Sequence, residues 1–173
     1  MTQANPANSQ LTKKVGFGSV GAAFILALAM LLPAKESRVL TTYWDSIGRV
    51  WTVCAGVTGK GVIPGRTYTL AECISMETAY IKKMYARMGS CVNGEFHPSV
   101  VKAFGHFAYN IGEDKFCSST AARLLNRGDV HGACKQIKRW RFSGGKDCAI
   151  RSNRCFGIID RREWEYLTCM EGA

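Results

Sequence analysis

Two carboxylic acids and a hydroxyl lie near one another in the sequence, and together they could cleave a glycosidic bond. Glu36 precedes Asp45 by nine positions, and Thr52 follows in the run Trp51-Thr52-Val53-Cys54. Glycosidic cleavage needs one carboxylic acid to protonate the leaving oxygen and one carboxylate to stabilise the oxocarbenium-like state or activate water. A threonine hydroxyl can orient that water, since it both donates and accepts hydrogen bonds. On spacing alone, however, such carboxyls are usually two solvated surface charges.

The two carboxyl groups are expected to differ in protonation because their surroundings differ. The acid must stay protonated near neutral pH, and burial favours this by penalising the charged form. Glu36 stands between an apolar leader and the first predicted strand, so we assign it the acid role. Asp45 is followed by Ser46 and Gly48 on a predicted hairpin, and we expect it to remain ionised.

The elements that must position these residues are a hairpin and several helices. Residues 38–62 are rich in Thr, Val, Tyr and Trp and contain several glycines, which predicts short antiparallel strands with hairpin turns. Thr69-Leu70-Ala71-Glu72 is a capping box, and apolar residues then recur at helical spacing as far as Met88. A second helical pattern follows Pro98, and Gly112 is expected to end it.

Shorter helices are predicted further along the chain from their capping residues. Ser118-Ser119-Thr120 and Asp129 precede two short helical patterns, and Asp160 precedes a last one. Strands followed by helices indicate an α+β fold. The chain after the leader, residues 35–173, has the length of one domain.

The leader is an uncharged apolar segment, residues 15–32, which follows a polar tail at 1–14 and ends before Pro33. As a helix it would just span a hydrocarbon core of about 30 Å. Glycine, alanine and serine make up nearly half of it, so its hold on a bilayer would be weak. We predict a marginal anchor at residues 15–34 that inserts and later leaves the membrane, with a cleaved signal peptide or a permanent anchor as alternatives. Residues 2–12 are expected to be disordered.

All eight cysteines follow the leader. An even count beyond a hydrophobic segment predicts disulfides formed in an oxidising compartment, with buried reduced thiols in a cytosolic protein as the alternative. The sequence leaves most of the pairing open. We predict only that Cys148 pairs with Cys155, because these two residues bracket a polar insert.

The formal net charge of +10 indicates an anionic partner, such as nucleic acid, acidic lipid or the polymer of a bacterial cell wall. The basic residues are spread along the chain without a zinc-finger, ribonucleoprotein or leucine-zipper pattern, which argues against nucleic acid. No CxxC pair occurs, and His97, His106 and His131 lack ligand spacing, so we expect no metal.

The catalytic run resembles the phage-type lysozymes, a family of muramidases. The matching residues begin at Glu36 and continue through Tyr43-x-Asp45-x-x-Gly48 and Trp51-Thr52-Val53-Cys54-x-Gly56-x-Thr58-Gly59. Further matches follow in order at Tyr109-Asn110-Ile111-Gly112, Ser119-Thr120, Leu124-Leu125-Asn126-x-Gly128-Asp129, Gly132-Ala133-Cys134, Arg139-Trp140, Gly144-Gly145-Lys146, Gly157 and Arg161-Arg162-Glu163. The resemblance thus covers nearly everything after Glu36.

The resemblance implies a two-lobed lysozyme-like fold, with a small N-terminal hairpin lobe and a larger helical lobe joined by a long helix, and a cleft between the lobes. It implies that Glu36, Asp45 and Thr52 form a catalytic triad. The reaction would be hydrolysis of the β-1,4 bond between N-acetylmuramic acid and N-acetylglucosamine, without metal or cofactor. Substrate contacts are expected at Trp44, Asn110 and Arg139, while Arg161 and Arg162 are more typical of packing and salt bridges.

Three residues depart from the family pattern. Ser37 stands where the family usually has glycine, and Val57 where many members have histidine. Six residues separate Asp45 from Thr52, one more than the family usually has, which indicates a hairpin insertion at Arg49 or Val50.

The leader resembles the signal-anchor-release segments of phage endolysins. Such a segment implies export by the host secretion machinery, tethering in the host inner membrane through residues 15–32, and later release of a monomer into the periplasm, where peptidoglycan lies. The leader contains no cysteine, so the enzyme cannot be activated by a leader cysteine that exchanges disulfides. We hypothesise that release itself activates the enzyme, because only three residues separate Leu32 from Glu36.

Three other functions remain open from the sequence. A lytic transglycosylase would cleave the same bond with one acid and no water. A basic membrane-disrupting protein would need no catalytic carboxyl, and a wall-binding module would release no sugar.

Overall fold

The computed structural model describes residues 13–35, 38–46 and 48–173, although the side chains of residues 31–35 are not described. The predicted disorder of residues 2–12 and the predicted acid Glu36, with its neighbour Ser37, lie outside the described residues. The chain divides into two compact units, each considered by itself. The hairpin unit is Gly21–Lys83, and the helical unit contains the described residues up to Val20 together with Met84–Ala173.

The hairpin unit is built on a three-stranded antiparallel sheet, as the composition of residues 38–62 predicts. The strands are paired in the order β1-β2-β3, so each is joined to the next by a hairpin. The elements are helix α1 (Ala22–Lys35), β1 (Val39–Asp45), β2 (Val50–Cys54), β3 (Val57–Thr58) and helix α2 (Leu70–Gly89), the last of which continues into the helical unit. Buried side chains form the core of the sheet and α2: Val53, Cys54, Val57, Val62, Tyr68 and Cys73.

The predicted capping box at the start of α2 is confirmed. The Thr69 hydroxyl accepts a hydrogen bond from the Glu72 amide at 3.2 Å, and a Glu72 carboxylate oxygen accepts one from the Thr69 amide at 2.8 Å. The Thr69 amide and hydroxyl, by donating to the carboxylate, lower the pKa of Glu72. The stabilisation that this carboxylate provides is therefore present at neutral pH and is lost as the pH falls through the lowered pKa.

The described part of the helical unit contains five further α-helices, two short 3-10 helices, the first of them at Phe17–Ser19, and a two-stranded ladder. Helix α3 packs against α7, and α6 packs against α5 and α7. The elements are α3 (Pro98–Ile111), α4 (Glu113–Cys117), α5 (Thr120–Leu125), α6 (Val130–Ile137), β4 (Phe142–Ser143), β5 (Lys146–Asp147), a short 3-10 helix (Arg151–Asn153) and α7 (Gly157–Met170).

Most of the predicted helix ends in this unit are confirmed. Gly112 follows α3 with φ 92°, a conformation that favours glycine. Ser119 and Asp129 cap α5 and α6, each accepting a hydrogen bond from a backbone amide. The prediction that Asp160 caps the last helix is wrong, because α7 begins at Gly157. Asp160 instead lies in its first turn, where a carboxylate favours the helix dipole.

Four disulfides connect these elements, and no cysteine in the described part of the chain is free. The predicted pair of Cys148 with Cys155 is confirmed. The other three pairs join residues far apart in the sequence: Cys54 with Cys73, Cys91 with Cys117, and Cys134 with Cys169. Two of them link neighbouring core elements, β2 to α2 and α6 to α7.

The beginning of the predicted anchor segment is part of the helical unit. Val15 forms an antiparallel bridge with Phe96, with N–O distances of 2.8 and 3.0 Å. Phe17 is fully buried, and its ring centroid lies 5.5 Å from that of Phe96, 6.0 Å from Phe116 and 6.3 Å from Tyr85. Among the described helices, including α1, none combines the length and apolarity needed to cross a membrane.

The close approach of two glycines gives a test of this docking. A Cβ atom added at Gly89 would lie 2.4 Å from the Gly18 Cα and 2.5 Å from its nitrogen, whereas a Cβ at Gly18 would lie an ordinary 3.5 Å from the Gly89 Cα. Gly89→Ala is therefore expected to destabilise the protein by about 1–3 kcal/mol through overpacking. Helix propensity alone would predict the opposite sign, by about 1 kcal/mol.

The measurement is thermal unfolding, together with hydrogen exchange at the amides of Val15 and Phe96. Gly18→Ala serves as the matched control and should leave both measurements close to wild type. Equal stability of the two variants would show that the two backbones do not pack this closely.

Candidate active site

The β1–β2 ladder places two of the three predicted catalytic residues together. Tyr43 pairs with Thr52, and Asp45 pairs with Val50. Side chains two residues apart on a strand share one face of the sheet, and residues paired across strands share that face too. Asp45 and Thr52 therefore lie on the same face of the sheet as diagonal neighbours.

Thr52 is held in a defined orientation. Its side chain is only 3% exposed, and its hydroxyl donates a hydrogen bond to the Val50 carbonyl at 3.3 Å. A hydroxyl that donates to the backbone keeps its oxygen lone pairs as acceptors. Thr52 is thus suited to accept a hydrogen bond from a water molecule next to Asp45.

The turn between the strands explains two features of the motif. A Cβ atom added at Gly48 would lie 2.7 Å from an Asp45 carboxylate oxygen, so a larger residue would displace that side chain. Arg49 has φ 53°, a left-handed conformation found mostly in turns. Because Val50 already pairs with Asp45, the extra residue of this hairpin is taken up within the turn, and Thr52 remains on the face of Asp45.

The predicted acid, Glu36, lies outside the described residues, so its role stays a prediction. The structure does show how the chain two residues later is attached. Arg38 donates two hydrogen bonds to the Glu77 carboxylate, from Nε at 3.0 Å and from Nη2 at 2.6 Å. The same carboxylate accepts a hydrogen bond from the Ala55 backbone amide at 3.1 Å.

Sequence reasoning missed Glu77, although a signal for it was present. Cys73, Glu77 and Ile81 follow one another at four-residue spacing on α2, and all three are fully buried. A glutamate within an apolar helical stripe is almost never buried without a partner. That position therefore indicated an ion pair, but the spacing could not identify Arg38 as the partner.

Trp44, a predicted substrate contact, lies on the other face of the hairpin from Asp45 and Thr52. It pairs across the strands with Trp51, and the two rings meet edge to face with centroids 5.8 Å apart. Both rings are solvent-accessible, at 51% for Trp44 and 37% for Trp51. The role of Trp44 in substrate binding stays a prediction.

The helical unit holds the other two predicted substrate contacts, Asn110 and Arg139. Both are exposed. The Asn110 side-chain oxygen accepts a hydrogen bond from Arg162, and Arg139 donates one to Gln136 at 3.4 Å. Neither residue is tested further by the structure, so their substrate contacts also stay predictions.

Arg162, which lies within α7, has the packing and salt-bridge role that is more typical of this arginine pair. It is 3% exposed, donates to the Trp140 carbonyl at 3.0 Å and forms an ion pair with buried Glu165. Glu165 in turn lies 2.6 Å from His106 Nδ1. This buried chain of polar groups connects α3 and α7.

Within residues 13–35, 38–46 and 48–173, no group of three or more His, Cys, Asp or Glu side chains has the arrangement to hold a metal ion. On the described part of the hairpin, the groups available for chemistry are the Asp45 carboxylate and the Thr52 hydroxyl.

Comparison with known sequences gives matches over most of the chain. The family described as phage lysozyme matches residues 34–165. The SAR-endolysin of Enterobacteria phage P21 is 35% identical over 130 residues, which cover 75% of this chain and 74% of the relative. The SAR-endolysin of Escherichia phage 933W is 36% identical over 151 residues, with 85% of each chain covered.

Solved structures agree with these matches. P22 lysozyme is 25% identical, with a TM-score of 0.68 over 83% of this chain and 95% of that chain. The active form of the P1 phage endolysin is 18% identical, with a TM-score of 0.69 over 88% and 94% of the two chains, and shows the fold alone. The predicted α+β fold of lysozyme type, with a small sheet and a larger helical part, is confirmed.

Proposed function

Because the chain belongs to the phage lysozyme family, we propose that it is a phage endolysin that cleaves peptidoglycan and so lyses the host cell. The observation that carries this proposal is the hairpin register, which brings Asp45 and Thr52 to one face. Both residues, and Glu36, fall within the range that matches the family. The net charge of +10 suits an anionic wall polymer.

The finer reaction we propose is hydrolysis of the β-1,4 bond between N-acetylmuramic acid and N-acetylglucosamine. Glu36 donates its proton to the leaving glycosidic oxygen, and the bond to the anomeric carbon breaks. Water adds to that carbon and gives up a proton to a carboxylate. The ionised Asp45 stabilises the positive charge that develops on the sugar, and Thr52 accepts a hydrogen bond from the water.

Membrane tethering followed by release forms the second part of the proposal. Relatives named SAR-endolysins support an anchor at residues 15–32 that holds the chain in the host inner membrane, facing the periplasm, until it leaves the bilayer. The burial of Phe17 in the helical unit supports the release step, because a side chain packed in a protein core is not in contact with lipid. Release would then both complete this core and free the chain around Glu36 to reach its active position.

Product analysis tests the reaction directly. The full chain, incubated with purified peptidoglycan, should release fragments that end in reducing N-acetylmuramic acid, each heavier by one water than the anhydro product. Mass spectrometry in 18O-labelled water would detect the incorporated oxygen. Anhydro ends would identify a lytic transglycosylase, and the absence of released sugar would favour a wall-binding or membrane-disrupting protein.

A further inference from the structure

We propose that Arg38 and Glu77 are positioning residues for the glycosidic reaction, which fix the chain at the start of β1, two residues after the proposed acid Glu36. This inference rests on the proposed function, because it takes Glu36 as the acid. Neither Arg38 nor Glu77 is expected to touch the substrate. Their effect on the reaction passes through the backbone that they fix.

The geometry of the contact is that of a clamp. Glu77 is fully buried, and the Arg38 side chain is 15% exposed. Arg38 uses two donors of its planar fork, one to each carboxylate oxygen, at 3.0 and 2.6 Å. A two-point contact of this kind fixes direction as well as distance, which the single ammonium of a lysine does not do.

The clamp lies at the open end of the β1–β2 hairpin. Arg38 directly precedes Val39, the first residue of β1, and Val39 pairs with Cys54 at the end of β2. Ala55, the next residue, donates its amide to the same Glu77 carboxylate at 3.1 Å. One buried side chain on α2 therefore fixes both ends of the hairpin.

A second connection, the disulfide of Cys54, holds this end of the hairpin to α2. Cys54 has φ 59°, a left-handed conformation that is uncommon for a residue with a side chain. Its disulfide to Cys73 lies one helical turn from Glu77 on α2. The backbone around Cys54 and Ala55 is thus held to α2 at two points, which gives the clamp a rigid support.

Chain connectivity carries the effect from the clamp to the proposed acid. Glu36 stands two residues before Arg38, and a chain spans at most about 3.6 Å per residue. Fixing Arg38 therefore limits the positions that the Glu36 carboxyl can reach. Misplacement of a reacting group by about 1 Å can lower a rate by about a hundredfold.

The competing explanation is that this ion pair only stabilises the fold. Arg38→Met/Glu77→Gln separates the two explanations, because it removes both charges and leaves no uncompensated charge in the core. The glutamine oxygen still accepts the Ala55 amide, so folding is expected to be retained while the fork is lost. The matched control is Arg66→Met/Glu72→Gln, which makes the same substitutions in the exposed pair Arg66 and Glu72 of the same unit. Glutamine also preserves the capping box there.

The experiment measures kcat and KM of the full chain on soluble glycan strands, at a temperature where each variant is fully folded. We expect kcat of Arg38→Met/Glu77→Gln to fall by about ten- to a hundredfold with KM within about twofold, and the control to match wild type. Arg38→Lys, which keeps the positive charge but not the two-point contact, should have a kcat between those of the double variant and the wild type. Wild-type kcat in the Arg38 double variant, or an equal loss in the control, would overturn the inference.

Glu36→Gln in the same assay separates this inference from the proposed function. If Glu36→Gln is inactive while the Arg38 double variant has wild-type kcat, the clamp has no positioning role but the muramidase function stands. If Glu36→Gln keeps full activity, the proposed function itself fails, and the inference fails with it.

Discussion

Glu36→Gln is expected to lower kcat on peptidoglycan by about 100- to 10,000-fold, the usual contribution of a general acid. Glutamine has nearly the same size and can still donate a hydrogen bond, but it has no proton to transfer to the leaving oxygen. The loss should therefore appear in kcat far more than in KM, because binding of the glycan does not need the proton.

The activity is measured by reducing ends released from purified peptidoglycan, with clearing in a zymogram as a second readout. Glu95→Gln makes the same chemical change at an exposed position of the helical unit and should have wild-type activity. Asp45→Asn should also lower kcat, since a neutral amide stabilises an oxocarbenium-like state less well than a carboxylate. Clearing by both Glu36→Gln and Asp45→Asn would contradict the assignment of the site.

Phe17→Ala is expected to lower the free energy of unfolding by about 3–5 kcal/mol. The ring is fully buried against Tyr85, Phe96 and Phe116, so its removal loses apolar burial and leaves a cavity. Phe142, which is 60% exposed, provides the control: Phe142→Ala should change stability by less than about 0.5 kcal/mol. Urea unfolding of both variants with disulfides intact gives the comparison.

Truncation of the leader and release of the full chain are expected to give proteins of different stability. Deleting residues 1–34 removes Phe17 together with the proposed anchor, so the truncated chain is expected to be less stable than the released full chain. Release is therefore better imitated by extracting the full chain from membranes than by truncation. A Phe17→Ala variant as stable as wild type would show instead that residues 15–19 are not part of the folded core in solution.

Sequence patterns predicted the local elements well, because local interactions determine them. The capping box at Thr69, the glycine stop at Gly112 and the caps at Ser119 and Asp129 each depend on groups within a few residues. The prediction that Asp160 caps α7 was wrong. Several residues near a helix start can act as caps, and α7 begins at Gly157, four residues before the start that a cap at Asp160 would give.

Disulfide pairing shows where this predictability ends. The pair Cys148 and Cys155 could be predicted, since the two residues bracket a short polar insert and closing a short loop costs little chain entropy. The other pairs span 19, 26 and 35 residues, and at such separations the pairing depends on how helices and strands pack. The same applies to Glu77, whose buried position was visible in the helical pattern but whose partner was not.

The sequence by itself determined the chemistry available to this protein: two carboxyls and a hydroxyl in a hairpin motif, a weakly apolar leader and an even set of cysteines. Those features are properties of residue type and near spacing. Only the tertiary structure decided that Thr52 lies on the same face as Asp45, that Trp44 lies on the opposite face, and that Phe17 completes an aromatic core. Each of these depends on strand register or on contacts between distant segments, and burial energy, rather than local pattern, selects among them.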